Sequence, residues 1–175
     1  KMTKRSFLVS VLLSIAGAVN AQREIVPTDT LYIKGKIENQ ICFVLTDLEK
    51  FPTVAIEDQI IYNHKGEIKD TIRNLRGIGI KNVLSTVRFL HEKPKNLNEF
   101  YLVFIASDGY KVVFSWNEIF NNTAGDHFYI ITDINGKKLK DQAQRIIFFA
   151  TSDLKIGRRY IKGLKTIDVR QVPGL

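Results

Sequence analysis

The chain has 175 residues, 26 Lys and Arg against 18 Asp and Glu, a formal net charge of +8 and 45% hydrophobic residues. That length suits one domain able to bury a full core without staples, and Cys42, the single cysteine, excludes an intramolecular disulfide. The positive balance is compatible with an anionic ligand or an acidic partner, and an exported chain has little occasion to meet nucleic acid.

Residues 1–21 read as a cleavable signal peptide. Lys1, Lys4 and Arg5 form a positive leader, Phe7 to Val19 is apolar apart from Ser and Gly, and Val19-Asn20-Ala21 places compact residues at the cleavage point. The apolar run is shorter than the ~20 residues of a spanning helix, so no membrane insertion is expected after cleavage and the location is periplasmic or secreted. Thr3-Lys4-Arg5-Ser6-Phe7-Leu8 is similar to a twin-arginine export motif with Lys in the first position, which favours the ordinary export route. Three of the 26 basic residues and none of the 18 acidic ones lie in this leader, leaving +5 on residues 22–175.

Along that single domain, 31–37 and 41–45 read as two strands around a turn at Asn39. Cys42, inside the second, is expected to be a small buried hydrophobe. Thr46-Asp47-Leu48-Glu49 is a capping box opening a short helix that Pro52 closes. Residues 53–62 are extended. Ile80, Val83, Leu84, Val87 and Leu90 recur at helical spacing and predict an amphipathic helix over 79–91. Residues 99–106 are apolar on both faces, a buried strand, and Ser107-Asp108-Gly109-Tyr110 turns it into a partner over 111–114. Ser115-Trp116-Asn117-Glu118 starts a helix of one or two turns. Residues 127–132, 145–150 and 164–172 read as strands, with a hairpin signal at Asn135-Gly136. Strands outnumber short helices, so the class is α+β and β-rich.

No nucleophile elbow, His-Glu-x-x-His motif or phosphate-binding Gly-rich loop is present, and His64, His91 and His127 are scattered. The exception is 155–165, where Lys155, Arg158, Arg159, Lys162 and Lys165 gather around Gly157, Gly163 and Tyr160. Arg forks bind phosphate or carboxylate, Lys adds a point charge, and Gly admits backbone N–H groups to an anion. A solvated charged strand edge would have the same composition.

The order of short motifs resembles the molybdopterin-binding oxidoreductase domain of the sulfite oxidase type. The likeness runs through Ile33-Lys34-Gly35-Lys36-Ile37, the Leu45 to Pro52 step, Gly77 to Leu84, Phe104 to Tyr110, Asn135 to Leu139 and Gly157-x-Arg159-x-x-Lys162-x-Leu164. It implies that family's fold, with mixed sheets and short helices over residues 22–175. By position, it implies that Gly157, Arg159 and Lys162 carry an anionic or phosphate group. The family's catalytic members ligate molybdenum through a cysteine between the 53–62 strand and the Gly77 motif. Here that span holds none, Cys42 lies some 20 residues too early, and His64 occupies the window. The tryptophan that follows the last lysine in the family is Gly163.

The expected function is therefore a non-catalytic binding module for a pterin or another small anion, without molybdenum. A molybdopterin-dependent oxidoreductase with an atypical metal ligand is the second reading, and an extracytoplasmic protein-interaction domain the third. Losing Arg159 or Lys162 is expected to weaken anion binding and leave stability nearly unchanged, as for exposed cations.

Overall fold

A computed structural model describes residues 24–63 and 65–173. The leader read over 1–21, and His64, lie outside the described residues.

The first sheet grows from the two ends of the sequence. β1 (Thr30–Gly35) pairs antiparallel with β2 (Ile41–Val44), as the turn at Asn39 predicts. Period-two alternation on this edge strand turns Ile41 and Phe43 toward the core, which leaves Cys42 exposed. The expectation of a buried thiol is corrected. α1 (Leu45–Leu48) follows, with the Asp47 carboxylate accepting the Val44 N–H at 3.3 Å; the helix starts ahead of Thr46, Val44 has no side-chain acceptor, and the expected capping box is corrected to this one bond. The extended 53–62 stretch divides into β3 (Val54–Ile56) and β4 (Gln59–Tyr62), which join different sheets.

β5 (Ile68–Ile72) and β6 (Leu75–Gly79) come next, and α2 (Ile80–Leu84) has five residues. The amphipathic helix over 79–91 is corrected to this single turn. The Ser85 and Thr86 hydroxyls donate back to the Asn82 and Val83 carbonyls at 2.7 and 2.9 Å, and the chain then runs extended beside β1 through an Ile37–Phe89 bridge. Helical spacing of Val87 and Leu90 is therefore coincidental.

β7 (Phe100–Ala106) and β8 (Lys111–Ser115) form the expected hairpin, and α3 (Trp116–Phe120) starts where Ser115 Oγ accepts the Glu118 N–H at 3.0 Å. β9 (Phe128–Ile134) turns through Asn135 and Gly136, at φ 50° and 78°, into β10 (Lys137–Lys138). β11 (Ile147–Ala150), β12 (Ile161–Lys162) and β13 (Leu164–Gln171) complete the chain.

One sheet has the order β2-β1-β13-β7-β8 and is mixed, because β13 runs parallel to β1. The other has the order β12-β11-β9-β6-β3 with β10 beside β9 and is antiparallel, and β4-β5 form a separate hairpin. Where β1 ends, Gly35 takes φ 103°, and a Cβ there would lie 2.1 Å from the Val169 carbonyl oxygen, so the backbones touch. The main core lies between the two sheets. Phe104, Phe114, Phe128 and Phe148 meet there with ring centroids 4.8–6.1 Å apart.

Alternation along β9 and β11 gives the six-stranded sheet a second buried face. Phe128, Ile130 and Phe148 point into the main core, while Ile131, Ile147 and Phe149 join Ile61, Ile72 and Leu75 in a smaller one. The β4-β5 hairpin and residues Ile156 and Tyr160 cover that face. This outer layer positions the candidate site. Among the described residues no helix is long and apolar enough to cross a membrane.

Candidate functional site

A cavity of about 360 Å³ opens between the tip of the β4-β5 hairpin and the turn that carries the basic cluster. Tyr62, Asn63 and Gly66 form one wall, and Leu154, Lys155, Ile156, Gly157 and Arg158 the other.

Asn63 shapes the hairpin tip. Its Oδ1 accepts the Lys65 and Glu67 N–H groups at 2.9 and 3.0 Å, and its Nδ2 donates to Glu67 Oε2 at 2.7 Å. This is the local bonding by which Asn holds a turn. The opposite wall is a 3-10 turn, Ile156–Arg158, in which the Arg158 N–H donates to the Lys155 carbonyl at 3.1 Å. Ile156 roots this turn in the smaller core, and the Tyr110 hydroxyl donates to the Arg158 carbonyl.

Arg159 holds the base of the turn. Its Nε donates to Asp153 Oδ2 at 2.6 Å, a second nitrogen reaches Asp153 Oδ1, and the third donates to Glu118 Oε1 at 2.5 Å. The guanidinium carbon stands 4.6 Å from the Phe114 ring centroid and 5.3 Å from that of Phe128. Bonds to Asp153, and then to Glu118, raise the guanidinium pKa against the opposing effect of burial. The five residues from Leu154 to Arg158 are thereby pinched between Asp153 and Arg159 and overhang the cavity.

Arg159 is thus a half-buried clamp with its fork occupied, not an exposed cation, and its loss bears on stability. Lys162 also points elsewhere, its ammonium 5.0 Å above the Tyr160 ring, which stacks on Phe149 at 4.2 Å. Of the four residues singled out in the sequence, Gly157 lines the cavity, Arg159 and Lys162 are not among its lining residues, and His64 lies outside the described residues. Gly163, where the family resemblance places tryptophan, has φ 65°, and a Cβ there would stand 2.8 Å from Ser107 Oγ.

The cavity's cations are Lys155 and Arg158. Among the described residues neither forms an ion pair, although both belong to the cluster visible in the sequence. Pairing separates them from Arg159. Its carboxylate partners lie 6 and 41 residues away, and no local spacing could have reported the second.

Burial, with a smaller contribution from Asp70, pushes the Tyr160 phenol up to about 12. Its ordinary value is 10.0, so between pH 10 and 12 the folded chain holds a proton that the unfolded chain releases. The associated stability is full below pH 10 and is lost as pH rises through about 12. Tyr160→Phe keeps the stack and is expected to flatten the alkaline limb of a stability–pH profile in that window. Burial raises Tyr129 too, so the flattening is partial. An unchanged limb would contradict a buried phenol at Tyr160.

No protein-family model and no curated protein matches the chain. Among solved structures it is similar to the sulfane dehydrogenase SoxCD from Paracoccus pantotrophus, with a TM-score of 0.56 and 14% identity. The match covers 83% of this chain and 39% of that one, so the chain spans about two fifths of its neighbour's length. The likeness at this identity is one of fold: a β-rich α+β arrangement shared with part of that dehydrogenase.

Proposed function

We propose that this chain is an extracytoplasmic anion-binding module on a scaffold of the sulfite oxidase type, with its ligand in the cavity between the β4-β5 hairpin and the Leu154–Arg158 turn. The observation that carries the reading is the convergence of Lys155 and Arg158, both without an ion pair among the described residues, on one cavity. Asn63 and the Gly157 backbone share its lining. A Cβ on Gly157 would meet nothing closer than 4.0 Å, so the backbone there is open to a ligand. Arg and Lys side chains give anions charge-assisted hydrogen bonds. The fold likeness and the ordered sequence motifs make a pterin bearing a phosphate one candidate, with the phosphate on Lys155 and Arg158 and the flat ring beside Tyr62.

The metal of the sulfite oxidase type does not fit this donor set. An amide, a phenol and two cations offer no soft anionic ligand, and Cys42 lies on an edge strand of the other sheet. No three His, Cys, Asp or Glu side chains gather into a metal site among the described residues. The likeness to a dehydrogenase favours, as a second reading, a redox enzyme with an atypical ligand.

Elemental analysis and acid release of pterin, on protein made in a host that synthesises the cofactor, separate the two. The module is expected to carry no stoichiometric molybdenum and to gain thermal stability from pyrophosphate. Near one equivalent of molybdenum per chain, lost on His64→Ala, would support the enzyme instead.

A further inference from the structure

The side chains at the mouth of the cavity are more apolar than a site for a small soluble anion requires. Leu154 is 99% exposed, at the crest of the overhanging turn. Across the cavity Tyr62 is 47% exposed, and its cross-strand partner Ile68 is 64% exposed. Cross-strand partners share one face of their ladder, so Tyr62 and Ile68 extend one apolar surface from the cavity wall along the hairpin. Leu154 borders the cavity, yet nearly all of its side chain stands clear of the protein. It can enter a phase that lies over the mouth.

The charge around these residues selects the phase. Lys155 directly follows Leu154, Arg158 closes the same turn, and Lys65 stands at the hairpin tip beside Gly66. Of the nearby carboxylates, Asp153 is held by Arg159 and Glu67 is turned onto Asn63. Asp70 lies further along β5 and acts on Tyr160. Lys65, Lys155 and Arg158 are left exposed beside the apolar groups at the mouth. Apolar side chains among lysines and arginines are the chemistry of a surface that meets anionic lipid headgroups with its charges and the acyl boundary with its hydrophobes.

We propose that the anion taken by this cavity is the headgroup phosphate of an anionic phospholipid in a bilayer, with Leu154, Ile68 and Tyr62 seated at the acyl boundary. The proposal rests on the anion-binding reading of the same cavity and adds the source of the anion. The binding proposed is peripheral, through side chains at the mouth of the cavity.

The test is co-sedimentation of the purified chain with vesicles of phosphatidylcholine alone and of phosphatidylcholine with one-third phosphatidylglycerol. Thermal protection by pyrophosphate is measured in parallel. Binding is expected only with phosphatidylglycerol. Ile68→Ser, outside the cavity lining, should weaken it at least about tenfold, the loss of one isoleucine's burial, while leaving pyrophosphate protection unchanged. Lys155→Ala and Arg158→Ala should each cost about fivefold on vesicles and should also reduce the pyrophosphate effect. Pyrophosphate protection without vesicle binding would overturn the lipid proposal and leave the anion site standing, whereas failure of both would remove the anion site as well. Vesicle binding that is indifferent to lipid charge, or that persists in a Leu154→Ser/Ile68→Ser variant of unchanged thermal midpoint, would also overturn it. So would a concentration-dependent dimer in sedimentation velocity, abolished by Leu154→Ser, which would make the apolar crest a self-association surface.

Discussion

Arg159→Ala is expected to lower folding stability by about 2–3 kcal/mol, read as a fall of roughly 5–10 °C in the thermal midpoint. The variant leaves Asp153 and Glu118 without their shared cation and strips the charge from over the Phe114 and Phe128 rings. A fully buried pair broken on one side costs about 3–5 kcal/mol, and the smaller figure reflects residual solvent screening. The Arg159 side chain is 23% exposed, against 30% and 14% for its two partners. Arg159→Lys keeps the charge but cannot span both carboxylates with a fork, and should fall between wild type and alanine. An alanine variant as stable as wild type would mean that the clamp does not hold the Leu154–Arg158 turn.

The opposite pattern is expected at the neighbouring cations. Lys155→Ala and Arg158→Ala should each weaken pyrophosphate binding about tenfold or more, from the loss of a charged hydrogen bond worth about 1.5–3 kcal/mol. The double variant should lose about a hundredfold if the two act independently. Stability should move by no more than about 0.5 kcal/mol, because neither side chain is buried or ion-paired among the described residues. Titration calorimetry beside thermal denaturation separates the two quantities. If Arg158→Ala unfolded the protein, or left the affinity untouched, the division between clamp and ligand-facing cations would be wrong.

That division shows what the sequence can and cannot reveal here. The Ser115 cap, the Asn135-Gly136 turn and the strands read at 99–106, 127–132 and 164–172 rest on signals within a few residues, and the structure has them within two residues of those bounds. The basic cluster is equally legible as a cluster. Its internal sorting is not, because Glu118 reaches Arg159 only after α3 has been packed against the turn. Strands β5 and β6 were hidden for a different reason. Ile68-Lys69-Asp70-Thr71-Ile72 carries too few apolar residues to read as a strand, and β6 holds two glycines. A Cβ on the first of these, Gly77, would stand 2.9 Å from both the Ile130 carbonyl oxygen and an Ile56 methyl. Close backbone approach within the sheet, which periodicity does not register, explains that residue. The hairpin that builds half of the candidate site therefore appears only once the chain is folded.

Amide chemical-shift mapping of the chain titrated with pyrophosphate tests the central claim most directly, because it locates the anion without any mutation. Saturable shifts are expected at the Asn63–Glu67 tip and along Leu154–Arg158, with little change around the cavity of similar size lined by Lys36, His91 and Gln171. Shifts confined to that second cavity, or no saturable shifts at the hairpin tip and the overhanging turn, would contradict an anion site held by Lys155 and Arg158.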